Sequence, residues 1–185
     1  MNPLLRGALC GAAAGAAGTT ALNAITYLDM VVQARPTSST PEDTVEKLAD
    51  VAHVPVPGDE EARRNRIAGL GPLSGLVAGV GMGALLGLVR GSGWRPASSV
   101  VGVLTACLGG LLAGNGPMTV LGVTDPRTWT AADWASDIVP HLGYGIVTAT
   151  VLEELDASRP GQSVGGRGGA GGNPLMSGSG QVTAL

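Results

Sequence analysis

Ile67-Ala68-Gly69-Leu70-Gly71-Pro72-Leu73-Ser74-Gly75-Leu76-Val77-Ala78-Gly79-Val80-Gly81-Met82-Gly83-Ala84-Leu85-Leu86-Gly87-Leu88-Val89 runs for 23 residues without a charge between Arg66 and Arg90. As a helix it reaches about 35 Å, enough to cross the roughly 30 Å of hydrocarbon in a bilayer. Gly71, Gly75, Gly79, Gly83 and Gly87 recur every fourth residue along it. Lipid supplies no hydrophobic force between helices, so association there depends on close backbone approach, which rows of small residues permit. Each four-residue step overshoots a full turn by about 40°, so the row traces a slanted groove suited to a right-handed crossing.

Working outward, three more segments carry the same character. Gly7 to Leu28 holds no charge and is closed by Asp29, with Gly7, Gly11 and Gly15 spaced by four and Gly18 nearby. Arg6 before it imitates a signal peptide, but the run exceeds the roughly 7–15 residues of a signal core and no small-x-small cleavage site follows, so it reads as a retained helix. A third apolar segment lies between Arg95 and Asp125, with Gly110 and Gly114, and is interrupted at Gly114-Asn115-Gly116-Pro117. The fourth, Ile138 to Leu152, is too short to span alone. It reaches spanning length only if the helix begins near Ala131 with Thr130 as N-cap, and Pro140 is expected to kink it.

The expected architecture is all-α: an integral membrane four-helix bundle over residues 1–156, with spans at about 5–29, 66–90, 97–123 and 131–155. Three spans plus a half-buried helix is the alternative. In the first loop, Thr40-Pro41-Glu42-Asp43 starts a short amphipathic helix over about 41–52, with Val45, Leu48, Ala49 and Ala52 on one face. Asp59–Arg63 and Glu60–Arg64 are spaced as i,i+4 ion pairs on the stalk that follows. Residues 157–185 form a Gly/Ser-rich segment whose composition predicts a flexible tail.

Composition agrees. Apolar residues make up 44% of the 185 and charged residues 14%, with 31 glycines and no phenylalanine, and the mean hydropathy is +0.29. A soluble domain carries about 25% charged residues. A net charge of −3 without basic clusters argues against nucleic acid as a partner. The partners implied are the lipid bilayer and, through the glycine faces, a second copy or another membrane protein. Cys10 and Cys107 lie in apolar runs and read as free, buried thiols, and no metal-ligand spacing or cofactor motif is present. No nucleophile–base pattern points to an enzyme.

Polar residues at membrane depth are costly and mark candidate sites. Asp133, Asp137 and His141 follow at i, i+4 and i+8 on the fourth segment, and Thr148 continues that face. A carboxylate four residues before a histidine is a unit used in proton relays and cation sites. Asn115, and Asn23 with Thr19, Thr20 and Thr26 on the first segment, complete the candidate polar cavity. The alternative is that the two aspartates are interfacial charges favoured by the helix dipole and that His141 bonds a neighbouring helix. His53, in the loop, is expected to have no special role.

Arg6, Arg90, Arg95, Arg159 and Arg167 fall on one side of a four-span topology, and Arg35, Lys47, Arg63, Arg64, Arg66 and Arg127 on the other. That balance leaves orientation by positive charge open; both termini are placed in the cytoplasm, with the plasma (inner) membrane as the location. Trp94, Trp129, Trp134 and Tyr27 lie near span ends, where interfacial aromatics belong.

Four stretches together carry a resemblance: Glu61-Ala62-Arg63-Arg64-Asn65-Arg66, Gly71-Pro72-Leu73-Ser74-Gly75, Asp125-Pro126-Arg127-Thr128-Trp129, and Asp137-Ile138-Val139-Pro140-His141-Leu142-Gly143-Tyr144-Gly145. Residues 1 to about 156 resemble small, uncharacterised multi-pass membrane proteins of high-GC actinobacteria, and the Pro140–Gly145 segment is similar to YagU-like inner-membrane proteins. The resemblance implies the membrane topology and transfers no catalytic residue. Two functions are therefore expected to compete: a structural or accessory protein acting through helix–helix association, and a small transporter or channel moving protons or a small solute past the Asp137–His141 pair. A membrane enzyme is the weakest alternative.

Overall fold

The computed structural model describes residues 1–158; the expectation for the Gly/Ser-rich tail falls almost wholly outside them. Among the described residues the chain is entirely helical, with five α-helices: α1 (Pro3–Gln33), α2 (Thr40–Ala52), α3 (Glu60–Gly91), α4 (Ser99–Val120) and α5 (Ala131–Ala157), plus a 3-10 turn at Pro126–Thr128. Three of them, α1, α3 and α4, are long and apolar enough to cross a membrane. α5 has 27 residues but carries charges at both ends, including Asp133, Asp137, Glu153 and Asp156.

Local chemistry sets the helix ends. Asn2, Asp59, Ser98 and Thr130 each accept a backbone N–H of the first turn through the side chain. At Thr130 the arrangement is a full capping box with Asp133. α4 runs without a break through Gly114-Asn115-Gly116-Pro117 to Val120. The interruption expected there is absent: the helix continues through Pro117, which only withholds the one backbone donor that would have met Ala113 O. Pro72 in α3 and Pro140 in α5 likewise lie within continuous helices.

α1 packs antiparallel against α3 along a seam almost free of side chains. A Cβ on Gly7 would fall 2.2 Å from Gly87 O, one on Gly11 2.2 Å from Gly83 O, and one on Gly15 2.6 Å from Gly79 O. In the other direction, a Cβ on Gly83 would meet Gly11 O at 2.4 Å and Gly15 Cα at 2.5 Å. The row does not face α1 throughout. Its drift of about 40° per step accumulates to about 160° from Gly71 to Gly87. Gly71 therefore lies under Glu42 of α2, with 3.0 Å from a built Cβ to Glu42 Cδ, while Gly75 meets nothing within 4 Å.

α5 lies against α1 on one side and α4 on the other, and α4 closes back on α3. Pro140, Tyr144, Gly145, Thr148, Ala149 and Leu152 form its buried face. The outer faces stay apolar: Val77 is 64% exposed, Leu112 70% and Val31 78%. Only 11% of the most apolar stretch of α3 is buried within the chain. A surface of this kind in water would be a large aggregation-prone patch.

α2 rests on α3 by a different contact from the one the sequence pattern predicts. Of the face formed by Val45, Leu48, Ala49 and Ala52, Leu48 and Ala52 are exposed and Val45 and Ala49 only half-buried, while Thr44 is buried. Arg63 reaches across to Glu46 of α2 at 2.8 Å instead of back to Asp59, whose carboxylate caps α3 through Ala62 N at 2.9 Å. A cap at a helix start holds a carboxylate more firmly than an exposed i,i+4 pair does, which leaves the arginine free for α2.

Gly83→Ala is expected to lower stability by about 1–3 kcal/mol, because its methyl meets backbone that can yield only by separating α1 from α3. Gly81 has nothing within 4 Å of its built Cβ, so Gly81→Ala is expected to be neutral or stabilising. Thermal unfolding of the detergent-solubilised protein measures both; equal losses would show that the seam does not control stability.

Candidate functional site

The residues of interest gather where α4 meets the first half of α5. Asn115 Nδ2 donates to Asp137 Oδ2 at 2.7 Å. His141 Nδ1 lies 2.8 Å from the Asp137 carbonyl and 3.4 Å from its Oδ1. A carbonyl only accepts, so Nδ1 carries a hydrogen in this contact, and Nε2 of the neutral ring is an acceptor. Nε2 faces Gly114, 3.5 Å from a Cβ built there. Asp137 and His141 keep 18% and 13% of their side chains exposed, so the pair sits near one end of the helices in partial contact with the surroundings.

The structure thus brings together three of the four expected polar residues, Asn115, Asp137 and His141. Asp133 is not one of the group. Its carboxylate accepts from Thr130 N at 2.8 Å and Thr130 Oγ1 at 2.7 Å and remains exposed. One helical turn separates a carboxylate at the helix start from one that looks inward. The first helix contributes less than its composition suggests: Thr20 and Asn23 are exposed. Thr19 is buried but turns its hydroxyl to Gly15 O at 2.8 Å. Its Oγ1 occupies the space above Gly79, 2.1 Å from a Cβ built there. The hydroxyl is absorbed by its own helix, as threonines in apolar helices commonly are. His53 caps the end of α2 in a left-handed conformation (φ 55°) with its ring on Val51 O.

Sequence reasoning missed Tyr144. It is 1% exposed and touches every other long helix. Its ring is wedged between Gly18 of α1 and Gly110 of α4, with Cδ2 and Cδ1 each 2.9 Å from a Cβ built on those glycines. Its hydroxyl donates to Gly79 O of α3 at 2.8 Å. The signal available beforehand was the pairing of a lone tyrosine with flanking glycines in Gly143-Tyr144-Gly145. Gly145 lets α5 approach α4 closely, 2.7 Å from Val103 O to a Cβ built there. Glycines on three helices make room for one aromatic ring.

One turn further, Thr148 is fully buried, with its hydroxyl beside that of Tyr144. It lines a cavity of about 20 Å³, together with Arg90, Thr105, Ala106, Ala149 and Leu152. Arg90 was expected only as the charge closing a span. Its side chain is instead 7% exposed and pairs with Glu153 at 3.5 Å and Asp156 at 3.3 Å. Arg95 joins Asp156, and Arg6 Nη2 donates to Leu155 O at 3.1 Å. Three arginines from outside α5 thus close on its last turns, which contain no basic residue of their own and whose carbonyls favour positive charge.

At the opposite end the α4–α5 connection forms an open cleft of about 690 Å³ between Thr119 and Arg127. Its charges satisfy each other: the Arg127 guanidinium beside Asp125 holds that carboxyl below the usual carboxylate range. Trp129 and Trp134 pack edge to face with centroids 4.9 Å apart, and Trp129 Nε1 donates to Thr124 Oγ1 at 3.0 Å.

Tyr144→Phe keeps the wedge and loses one interhelical hydrogen bond, an expected loss of about 0.6 kcal/mol and at most about 1.7 kcal/mol. Tyr144→Ala opens a hole between three helices and is expected to cost about 3–5 kcal/mol. Unfolding of both variants in detergent tests the assignment; a Phe variant as damaged as the Ala variant would overturn it.

A comparison with protein families, curated proteins and solved structures gives no match for this chain.

Proposed function

We propose that the chain is a multi-pass integral membrane protein of the plasma (inner) membrane, a lipid-embedded bundle of α1, α3, α4 and α5, with a structural or accessory role exercised through helix–helix association. The observation that carries this reading is the distribution of surfaces. The outward faces of α1, α3 and α4 are apolar and exposed, while the polar side chains of α5 at Asp137, His141, Tyr144 and Thr148 turn towards the other helices. That is the arrangement lipid as solvent favours. The lower glycines of α3 are engaged with α1 inside the chain, so association with a second copy or another protein falls to the outer faces.

Cysteine labelling decides the topology. With Cys10 and Cys107 replaced by serine, single cysteines at Ser92 and Ser158 are expected to label from one side of the membrane, the cytoplasmic side, and a cysteine at Thr128 from the other. Labelling of Ser158 together with Thr128 would show that α5 does not cross.

A second reading is favoured by one contact, the meeting of Asn115, Asp137 and His141 between α4 and α5. An inward-facing Asp–His pair is a unit that binds and releases protons or small cations, and it supports a small transporter or channel. Purified protein in liposomes holding a pH-sensitive dye is expected to dissipate an imposed proton gradient, and His141→Ala to abolish the flux. Equal flux from both proteins would remove this reading.

A further inference from the structure

We propose that α2 is an interfacial helix whose exposed side, at Leu48 and Val51, docks into the headgroup–acyl boundary of the bilayer, against lipid without net charge. The proposal rests on the membrane reading above and adds an interaction surface to it.

Two contacts fix how α2 stands on α3. Glu42, in its first turn, lies over Gly71, with 3.0 Å from a Cβ built there to Glu42 Cδ. Glu46, one turn on, pairs with Arg63 at 2.8 Å. α2 therefore rises from Gly71 towards the charged start of α3, against the direction of α3. Gly71 is five residues inside Arg66, the last charge before the apolar run, so the base of α2 starts about 7.5 Å within that boundary. Counted along α2 from Glu42, Leu48 is about 9 Å further and Val51 about 13.5 Å. A helix cannot climb more than its own length, and any tilt lowers it. Leu48 thus lies no more than about 1.5 Å beyond Arg66, and Val51 no more than about 6 Å. The polar layer on each side of the hydrocarbon is about 5–7.5 Å deep. Both side chains belong to that layer or below it, and neither reaches bulk water.

The side on which they sit is the second observation. At about 100° per residue, Leu48 and Val51 stand about 120–180° round α2 from Glu42 and Glu46. They face away from α3, and they are 55% and 58% exposed. Thr44, lower on the same side, is buried, so the protein covers the base of this stripe and leaves the upper part open. Asp43, Lys47 and Asp50 are exposed along one flank. An apolar stripe beside a polar flank, held at this depth, is the pattern of a helix lying at a membrane interface.

Charge selects the lipid. α2 carries Glu42, Asp43, Glu46 and Asp50 against Lys47 alone. In the stalk, Arg63, Arg64 and Arg66 are balanced by Asp59, Glu60 and Glu61. An anionic surface attracts basic segments and repels an acidic helix such as this one. The attraction here comes from apolar side chains entering the acyl boundary, which zwitterionic lipid allows.

The experiment uses the full chain in phosphatidylcholine vesicles, with Cys10 and Cys107 replaced by serine and a fluorophore on the single cysteine of Leu48→Cys, Val51→Cys, Asp50→Cys or Val77→Cys. Val77, in the middle of the α3 span and 64% exposed, reports on the membrane reading alone. A nitroxide on the upper acyl chain of the lipid is expected to quench the labels at 48 and 51 several-fold more than the label at 50, and iodide in the water on both sides the reverse. Phosphatidylglycerol mixed into the vesicles is expected to leave lipid quenching at 48 and 51 unchanged or to lower it. Labels at 48 and 51 as open to iodide as the label at 50, with 77 shielded, overturn the docking and leave the membrane reading standing. Labels at 48 and 51 shielded from both quenchers show that protein covers this side, which overturns lipid as the occupant. A several-fold rise in lipid quenching with phosphatidylglycerol overturns the choice of uncharged lipid. A label at 77 open to iodide overturns the membrane reading and the docking with it.

Discussion

Contact between two backbones with no side chains between them is the constraint on which the rest of the structure depends. Gly7, Gly11 and Gly15 of α1 lie against Gly79, Gly83 and Gly87 of α3 so closely that a single methyl at Gly83 would meet a carbonyl oxygen at 2.4 Å. Without a hydrophobic force to gather helices in lipid, such contacts trade on dispersion over a long, complementary surface. They also fix spacing. Once α1 and α3 are this close, the groove beside them is set, and α5 must fit it with whatever its side chains allow.

α5 fits by the opposite means. Its inward side carries a buried tyrosine and threonine and a half-buried histidine and aspartate, and the helices around it supply glycines where those side chains arrive: Gly18, Gly79 and Gly110 around Tyr144, Gly114 near His141. At its end, Arg90 is held by Glu153 and Asp156 with its guanidinium almost wholly buried. A buried ion pair of this kind adds little net stability, but loss of one partner is severe. It therefore fixes which residues of α5 lie at that end. Tyr144 and Arg90 together set both the depth and the rotation of α5, and so decide that Asp137 turns to Asn115 while Asp133 stays with its cap.

The glycine row also shows how a regular sequence pattern is divided by geometry. A spacing of four on a helix of 3.6 residues per turn cannot stay on one face. The same row serves α2 at Gly71, is open at Gly75, and serves α1 from Gly79 onward. α2 reaches its place through Glu42 over Gly71 and the Glu46–Arg63 pair, and Leu48 and Ala52 of its apolar face stay exposed.

The sequence by itself determined the helical class and the apolar segments, because length without charge and the requirement for internally satisfied backbone leave few other structures. It also determined the start of α5 at Thr130, since capping is a matter of a few adjacent residues. From spacing alone it marked Asp137 and His141 as one pair. Only the tertiary structure decided that Asn115 joins them and that Asp133, Thr20 and Asn23 do not. It alone decided that Tyr144 links four helices and that Arg90 is buried with two acids from another helix. These depend on the relative depth and rotation of helices far apart in the chain, quantities that no local pattern encodes and that emerge only when glycine surfaces on different helices close on one another.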